Sequence, residues 1–416
     1  HLQEGAKPVA SHSPIPVPLH WHKKVQQQLK RDETIGVIER VPPGCPTNWL
    51  HRMVVVPKKT GEPRRCVNFV PLNKHSKRQT HHTIPPFQQA SMVPCGTKKT
   101  TMDAWNGYHS TMLDPKSKDL TQFITPWGRY RYRVAPQGFL ASGDAYTDRF
   151  DKIIEDVPNK TKCVDDVLMW DKTIEESFFS TCKFLTLVSK NGVVLNPEKF
   201  VFCQDSVEFA GFMIGPDDIK PAPKIMESIK NFPIPKTISD IRGWFGLVNQ
   251  VSPFFANRPV MEPFRELLKP AQKGRKIYWD DNLTKLFEES KQVIIAAIAD
   301  GIKSFKTGEW TCLMPDACKT GIGYLLTQKR CKCEEINPYC CVGGWQTVLA
   351  GSRFTKDAET RYAPVELESL AIAWGLENTK HYTLGNQKLL VATDHKPLEK
   401  VMGDRQLEDI NNPRPV

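Results

Sequence analysis

Three aspartates stand where carboxylates could bind metal ions for phosphoryl transfer. Asp165 and Asp166 are adjacent, between a stretch that alternates polar and apolar residues and the apolar run 167–170, and Asp103 closes the strand-like run 100–103. Neighbouring side chains on a strand point to opposite faces, so the adjacent pair can act together only if a hairpin turn bends the backbone. An Asp-Asp pair alone is more often a solvated loop. Mg²⁺ prefers hard oxygen ligands, however, and phosphoryl transfer often uses two such ions, so the three carboxylates together indicate a two-metal site.

A strongly basic hairpin is predicted over residues 52–69. Two β-branched runs flank a turn that contains glycine and proline, a composition typical of hairpins. Lys58 or Lys59 could act on a triphosphate as a point charge, and Arg64 as a planar bidentate donor. The alternative is a charged tip that only discourages pairing at a sheet edge.

Residues 123–133 alternate aromatic and basic side chains. The rings could stack on bases while the basic groups hold phosphates. Alternatively, the segment is an exposed strand whose aromatic face packs inward.

The N-terminal segments indicate supporting elements. Three prolines at alternate positions among the first 20 residues favour an extended arm. Apolar residues at positions 25, 29, 35 and 38, spaced among charges and glutamines, predict an amphipathic helix from His22 to Glu39.

Composition limits the class of protein. The chain has 416 residues, enough for two to four domains, and 57 lysines and arginines against 46 aspartates and glutamates give a formal charge of +11. This balance favours a polyanionic partner such as nucleic acid. No membrane-spanning or signal-peptide pattern is present, and the twelve cysteines, mostly scattered, suit free thiols in a reducing compartment. We therefore expect a soluble intracellular protein without a membrane partner.

The order of these segments resembles the polymerase palm of reverse transcriptases, specifically those of gypsy-type (Ty3/gypsy) long-terminal-repeat retrotransposons. The resemblance implies that Asp103, Asp165 and Asp166 hold two Mg²⁺ ions against a deoxynucleoside triphosphate and the primer 3′-hydroxyl. It also implies a lysine and an arginine of the basic hairpin on the incoming nucleotide, which assigns Lys58 or Lys59 and Arg64 to substrate binding.

Other positions match family motifs around the nucleotide. Tyr108 matches the aromatic steric gate that packs where a ribose 2′-hydroxyl would project, which implies deoxynucleotides as substrates. Ala104 would contribute only its backbone carbonyl to the metal. Gln137 and Gly138 match a Pro-Gln-Gly loop that touches the nucleotide.

Two further motifs and one departure follow. Lys199 matches the lysine near the leaving pyrophosphate, where a cationic or proton-donating group stabilises departing charge. Gly211, in the apolar segment 207–214, resembles the primer grip, where glycine lets the backbone approach the growing strand. The family usually has Tyr or Phe before the Val-Asp-Asp sequence. Cys163 stands there instead and lacks the ring that contacts the primer end, while the metal ligands Asp165 and Asp166 are retained.

The last portion resembles the ribonuclease H of the same elements. Strand, helix and strand patterns present Asp316, Glu368 and Asp394, which imply a second two-metal site that cuts RNA paired with DNA. The family pattern calls for a fourth aspartate well downstream, and Asp409 is too close to Asp394 to be its counterpart. We therefore expect a domain shortened at its C-terminal end, or an incomplete nuclease.

Four cysteines, Cys331, Cys333, Cys340 and Cys341, lie in an insertion between two predicted strands. Four thiols so close together could hold a tetrahedral Zn²⁺, but their spacing departs from the usual two-residue gaps. Free thiols or a surface disulfide are the alternatives.

The expected fold class is a multidomain α+β protein: a right-hand polymerase with fingers, palm and thumb, followed by an RNase H-like α/β domain. The domains are an extended arm (1–21), fingers and palm (22–221), thumb or connection helices (222–300) and the RNase H-like domain (301–416). The expected function is RNA-directed DNA synthesis with cleavage of RNA in hybrids; the alternatives are a catalytically inactive nucleic-acid-binding transposon relic and an RNA polymerase.

Expected partners are an RNA or DNA template-primer, an RNA/DNA hybrid and dNTPs. An upstream protease and a downstream integrase of the same polyprotein are also expected. The expected location is cytoplasmic virus-like particles and the nucleus.

Overall fold

The computed structural model describes residues 1–58, 60–78, 80–105, 107–268 and 277–403. The chain divides into two compact units, residues 1–84 with 100–203 and residues 85–99 with those from 204 onward. The predicted ligand Lys59 and the downstream Asp409 lie outside the described residues. The domain boundaries stay predictions.

Helices and strands alternate along the chain. The α-helices of the described ranges are α1 (His22–Thr34), α2 (Val70–His75), α3 (Pro86–Ser91), α4 (Leu140–Ile153), α5 (Ile174–Lys190), α6 (Pro223–Lys230), α7 (Ile238–Gln250), α8 (Arg258–Met261), α9 (Asp281–Ala299), α10 (Pro364–Thr383) and α11 (Lys396–Gly403). The strands are β1 (Ile38–Arg40), β2 (His51–Pro57), β3 (Pro63–Val67), β4 (Lys98–Asp103), β5 (Phe123–Thr125), β6 (Gly128–Tyr132), β7 (Lys160–Cys163), β8 (Asp166–Asp171), β9 (Val201–Gln204), β10 (Val207–Phe209), β11 (Phe212–Ile214), β12 (Asp218–Pro221), β13 (Ile302–Lys303), β14 (Thr311–Cys318), β15 (Gly321–Lys329), β16 (Trp345–Phe354) and β17 (Leu389–Val391). None of the described helices has the length and apolar character needed to cross a membrane.

The first unit begins with a sheet of order β1-β6-β5-β2-β3. The predicted basic hairpin is present, since β2 and β3 pair antiparallel from Met53 opposite Val67 to Pro57 opposite Pro63. On the strands β5 and β6, Phe123 and Tyr130 are buried, so the segment with alternating aromatic and basic residues packs its aromatic face into the core.

The predicted helix from His22 to Glu39 is wrong in its C-terminal part. Helix α1 ends at Thr34, and Gly36 has a φ of +77°. The N–H of Val37 donates to the Asp32 carbonyl at 2.9 Å, which is the hydrogen bond of a Schellman motif. Ile38 is therefore buried on a strand instead of a helix.

A second sheet of the first unit has the order β7-β8-β4-β9. Strands β7 and β8 form an antiparallel hairpin that pairs Cys163 with Asp166. Val164 occupies the turn with a φ of +56°, which supplies the predicted bend beside the aspartate pair. Helices α4 and α5 contribute to the core of this sheet, with Tyr146 and Phe184 fully buried.

The second unit contains a helical region and two sheets. Between β12 and β13 of the sheet β10-β11-β12-β13, the chain forms helices that pack through aromatic side chains, with the rings of Trp244 on α7 and Phe287 on α9 4.9 Å apart. The other sheet has the order β16-β15-β14-β17 and packs against α10. Gly375 of α10 allows this close approach, because a Cβ there would lie 3.2 Å from the Leu313 side chain.

Candidate functional site

Backbone hydrogen bonds bring the end of β4 to the tip of the β7-β8 hairpin. The N–H of Ala104 donates to the carbonyl of Asp165 at 2.9 Å. The N–H of Asn196 donates to the carbonyl of Asp103 at 2.8 Å. Asp103 is thus fixed on one side to the aspartate pair and on the other to the loop that carries Lys199.

The three carboxylates of this site form one electrostatic cluster. Burial and a side-chain hydrogen bond with Asp103 raise the pKa of Asp166 to about 6. Burial also raises the pKa of Asp165, and the charge of Asp103 acts in the same direction. The close approach disfavours the ionised forms of Asp165 and Asp166, because like charges repel in a partly desolvated site.

Lys199 supplies a positive charge to the cluster. Its Nζ lies 2.7 Å from Oδ2 of Asp103, and this interaction raises the pKa of the ammonium group. Asn196 holds the short turn before Lys199 by accepting a hydrogen bond from the Glu198 N–H at 3.1 Å. The predicted motif lysine therefore lies directly on the carboxylates.

The donor set of the cluster fits a divalent cation. Carboxylate oxygens are the hard ligands that Mg²⁺ prefers, and Oδ1 of Asp165 is buried without a hydrogen-bond partner in the described residues. A bound cation would relieve the repulsion between Asp103 and Asp166. The carbonyl of the buried Ala104 follows directly in the chain, as the family resemblance implies.

Tyr108 lies on the segment after Asp103 and packs against a tyrosine that the sequence did not single out. The ring centroids of Tyr108 and Tyr146 are 5.4 Å apart. A Cβ at Gly107 would lie 2.3 Å from the Tyr146 ring, so only glycine fits there. The Tyr146 hydroxyl is buried and interacts with Asp165, an interaction that lowers the pKa of that carboxyl.

A cleft of about 480 Å³ brings several predicted nucleotide-binding residues together. Its walls include Lys58 and Arg64 from the basic hairpin, Gln137 and Gly138 from the Pro-Gln-Gly loop, and Trp105 and His109 from the segment after Asp103. The four residues predicted to bind the nucleotide, Lys58, Arg64, Gln137 and Gly138, are all exposed. The cleft therefore presents cationic and amide groups to solvent beside the segment that leads away from Asp103.

Asn73 and the pair Arg65–Asp32 support this cleft and were missed by sequence reasoning. The Asn73 amide donates to the Gly138 carbonyl and accepts from the Leu140 N–H, both at 2.9 Å, which fixes the loop where Gly138 has a φ of +89°. Arg65 donates to the Asp32 carboxylate. No local signal marks Asn73, because its partners lie more than 60 positions away.

Gly211 belongs to the second unit. It occupies the turn between β10 and β11 with a φ of +89°, and its carbonyl accepts a hydrogen bond from the Ala222 N–H at 2.9 Å. The apolar hairpin predicted for this segment is present. Its role in holding a primer stays a prediction.

A second acidic cluster lies in the second unit. Strands β14 and β17 run parallel with Leu313 opposite Val391, and Asp316 and Asp394 each follow three residues after that pair. Glu368 projects from α10, and burial together with the charges of Asp316 and Asp394 raises its pKa to about 7. Sheet register and one helix thus bring the three predicted acids together.

The environment of Glu368 fits a cation as well. Its side chain accepts a hydrogen bond from the Ala317 backbone N–H, yet Oε2 is buried without a partner in the described part of the chain. Asp316 and Asp394 are exposed beside it. A divalent ion would meet three oxygen donors of which one is already desolvated.

Four thiols meet in the connection between β15 and β16. The sulfur atoms of this thiol cluster all lie within 4.8 Å of one another; its members are Cys331, Cys333, Cys340 and Cys341. The Sγ atoms of Cys331 and Cys340 are 3.5 Å apart, which is too far for a disulfide. Of the alternatives to a metal site, free thiols are present in this cluster and a disulfide is not.

Two family models match the chain. Residues 56–214 match "Reverse transcriptase (RNA-dependent DNA polymerase)", and residues 307–414 match "RNase H-like domain found in reverse transcriptase". The two matches contain all six acids of the two clusters.

Curated relatives extend the similarity beyond these two ranges. The chain is 26% identical over 412 residues to the retrovirus-related Pol polyprotein from transposon opus, and 26% identical over 411 residues to that from transposon gypsy, both of Drosophila melanogaster. The alignments cover 94% and 91% of this chain but 39% and 36% of the relatives. The chain thus spans well under half the length of the curated relatives it matches.

Solved structures show the same fold. A foamy viral protease-reverse transcriptase in complex with dsDNA has a TM-score of 0.79 over 99% of this chain and 85% of its own. The same kind of enzyme in complex with an RNA/DNA hybrid has a TM-score of 0.75 over 99% of this chain and 55% of its own. Both are 18% identical to this chain, so the likeness concerns the fold: a right-hand polymerase followed by an RNase H-like domain.

Proposed function

We propose that this chain, which belongs to the reverse transcriptases of gypsy-type retrotransposon Pol polyproteins and carries an RNase H-like domain after the polymerase, synthesises DNA on an RNA or DNA template. The observation that carries the proposal is the convergence of Asp103, Asp165 and Asp166 with Lys199 on one point of the first unit. The reaction is attack of a primer 3′-hydroxyl on the α-phosphate of a dNTP, which releases pyrophosphate.

In this proposal the carboxylates of Asp103, Asp165 and Asp166 hold Mg²⁺, with the Ala104 carbonyl as an additional oxygen. When bound, the ions would lower the pKa of the primer hydroxyl and neutralise charge that develops on the phosphoryl group. Lys199 lies on Asp103 with a raised pKa, so it is protonated at neutral pH and can donate a proton to the leaving pyrophosphate.

The cleft of the first unit would bind the nucleotide. Lys58 and Arg64 would contact the triphosphate, Arg64 in bidentate fashion, and Gln137 and Gly138 would position the nucleotide from the loop that Asn73 fixes. Tyr108, held by packing on Tyr146, would exclude a ribose 2′-hydroxyl. A cleft lined by exposed cationic side chains is suited to phosphate contacts, so binding of template and primer should depend steeply on salt.

The second acidic cluster would bind Mg²⁺ and cut the RNA strand of a hybrid. The carboxylate of Glu368 is buried and is repelled by the charges of Asp316 and Asp394, so a bound cation would stabilise its ionised form. Protease and integrase segments of the same polyprotein are proposed partners. The proposed location is cytoplasmic virus-like particles and the nucleus.

Primer extension on an RNA template with Mg²⁺ tests the polymerase proposal. We expect incorporation of dNTPs far above that of rNTPs. Absence of incorporation under conditions where the chain still binds the hybrid would favour an inactive nucleic-acid-binding relic. A preference for rNTPs would favour an RNA polymerase.

The substitution Tyr108→Ala tests the sugar gate. Removing the ring opens space for the 2′-hydroxyl, so the preference for dNTPs over rNTPs should fall by about 10²-fold, equivalent to about 3 kcal/mol. The measurement is the ratio of kcat/KM values for matched dNTP and rNTP, with Tyr108→Phe as the control that keeps the ring. Unchanged discrimination in Tyr108→Ala would refute the assignment.

A further inference from the structure

We propose that the thiol cluster is a structural Zn²⁺ site that holds the connection between β15 and β16. The ligands are Cys331, Cys333, Cys340 and Cys341 as thiolates. The inference is independent of the polymerase and nuclease activities.

The sulfur positions match those of a tetrahedral tetrathiolate site. With Zn–S bonds of about 2.3 Å, the edge of a ZnS₄ tetrahedron is about 3.8 Å. The Cys331–Cys340 and Cys340–Cys341 sulfur separations are 3.5 and 3.9 Å, and all four sulfurs lie within 4.8 Å of one another. Disulfide-bonded sulfurs would be about 2.0 Å apart.

The backbone around the cluster is shaped to receive the sulfurs. A Cβ at Gly344 would lie 2.4 Å from Sγ of Cys341 and 3.0 Å from Sγ of Cys331, so any larger residue there would displace two ligands. The N–H groups of Arg330 and Cys331 both donate to the Gly344 carbonyl, at 2.7 and 3.2 Å, which closes the base of the connection. The backbone N–H of Cys333 donates a hydrogen bond to the Cys331 sulfur.

The connection has no apolar core that would give it a shape. Residues 330–344 contain no helix or strand, and their apolar side chains point outward: Ile336 is 45% exposed, Tyr339 75% and Val342 fully exposed. Long connections without secondary structure are uncommon in compact domains, and segments too small for a hydrophobic core usually depend on disulfides or a metal. Because the cluster contains no disulfide, a bound metal ion is the remaining means of fixing the conformation of this connection.

Binding would convert four thiols into thiolates and release their protons, with no change in oxidation state. Zn²⁺ is the favoured ion because it accepts four thiolates in tetrahedral geometry. Lys329, whose ammonium donates to the Cys333 carbonyl, places a positive charge beside a site that would carry two negative charges when loaded.

The test is the metal content of the full chain, purified in reductant without chelator. We expect about one zinc per chain by elemental analysis. Replacement by Co²⁺ should produce the strong visible bands of a tetrahedral Co²⁺ ion and the near-ultraviolet bands of thiolate ligation. Cys331→Ser and Cys340→Ser should each reduce bound zinc at least about tenfold.

Cys182→Ser is the matched control, since Cys182 is an exposed free thiol of the first unit, and it should keep its zinc. Zinc that persists in Cys331→Ser would place the ion elsewhere and overturn the proposal. So would an intact chain that takes up neither zinc nor cobalt. Fewer than twelve titratable thiols in denaturant with chelator would show a disulfide in place of the metal. The cobalt spectrum needs no variant, so the proposal can fail even if a substituted chain does not fold.

Discussion

The two acidic clusters differ in how their negative charge is compensated. In the first unit, Lys199 lies 2.7 Å from Asp103, and its positive charge also acts on Asp165 and Asp166. In the second unit, the charges that act on Glu368 are those of Asp316 and Asp394, and its pKa rises to about 7. In both clusters burial and neighbouring carboxylates raise the pKa of one acid, Asp166 to about 6 and Glu368 to about 7, so the difference between the clusters is the lysine beside the first.

The difference predicts different dependence on the metal. A cluster with its own lysine is partly neutralised before any ion binds, and that lysine remains available for chemistry at the leaving group. Among the described residues no cation acts on Glu368 of the second cluster, so that cluster relies on protonation or on an added ion to relieve repulsion. Substitutions in the first cluster should therefore change rates most, whereas those in the second should also change stability.

The largest expected effect is that of Asp165→Asn on DNA synthesis. Loss of one carboxylate from a two-metal site should lower single-turnover incorporation by about 10³-fold or more, equivalent to about 4 kcal/mol. Affinity for the hybrid should stay within about twofold, because phosphate contacts carry binding. RNA cleavage should be unaffected, because it depends on the other cluster.

Asp156→Asn is the matched control, since Asp156 is exposed in the same unit and its substitution should leave synthesis intact. Synthesis retained in Asp165→Asn would remove Asp165 from the reaction. Loss of cleavage along with synthesis would show that the two clusters do not act separately.

Lys199→Ala should reduce incorporation by about 10²-fold through loss of the proton donor. The Mg²⁺ concentration needed for half-maximal rate should not rise, because Lys199 competes with the ion for Asp103. Lys199→Arg should restore charge but little rate, since guanidinium does not release its proton. The measurement is single-turnover incorporation across a Mg²⁺ titration.

The exposed Lys183 of α5 offers a control substitution to alanine without effect. Full rescue of Lys199→Ala by high Mg²⁺ would mean that the lysine only balances charge. Such a result would mean that Lys199 gives the first cluster no catalytic group that the second cluster lacks.

Tyr146→Phe should have a moderate effect with a distinct pH signature. The Tyr146 hydroxyl lowers the pKa of Asp165 against the effect of burial, so its removal should raise that pKa. The acid limb of the incorporation profile should then move to higher pH, with a loss of about fivefold near neutrality, equivalent to about 1 kcal/mol. Tyr130→Phe, a buried tyrosine on β6, is the control. An unshifted acid limb would show that Tyr146 acts only by packing against Tyr108.

Local patterns in the sequence predict some features of these sites well. The aspartate pair lies in a turn beside an apolar strand, and Asp316 and Asp394 follow apolar runs. The predicted ends of strands therefore indicate where these acidic residues lie. The end of α1 also has a local signal, because Gly36 is a recognisable C-terminal residue. The apolar spacing that places Ile35 and Ile38 on one helix runs past this glycine.

Other features depend on contacts between distant segments. Tyr146 meets Asp165 only because α4 packs on the β7-β8-β4-β9 sheet, and Asn73 fixes a loop far along the chain. The orientation of residues 123–133 is set by their place inside a five-stranded sheet. No periodicity in one segment contains this information.

The smallest expected effect concerns stability in the second unit. The pKa of Glu368 is about 7 when folded, against an ordinary value of 4.5, so the folded state binds more protons between these values and its free energy of unfolding falls as pH rises through that window. Without added metal, the titration of Glu368 should lower the Tm of the second unit by about 2–4 °C as the pH rises from 4.5 to about 7, equivalent to about 1 kcal/mol.

Added Mg²⁺ at pH 8 should restore the Tm. Glu368→Gln should remove the dependence of the Tm on both pH and Mg²⁺, whereas Glu377→Gln, at an exposed position of the same helix, should remove neither. Calorimetry across pH with and without Mg²⁺ measures this. A pH dependence unchanged in Glu368→Gln would show that another group titrates, and would remove Glu368 as the electrostatic difference between the two clusters.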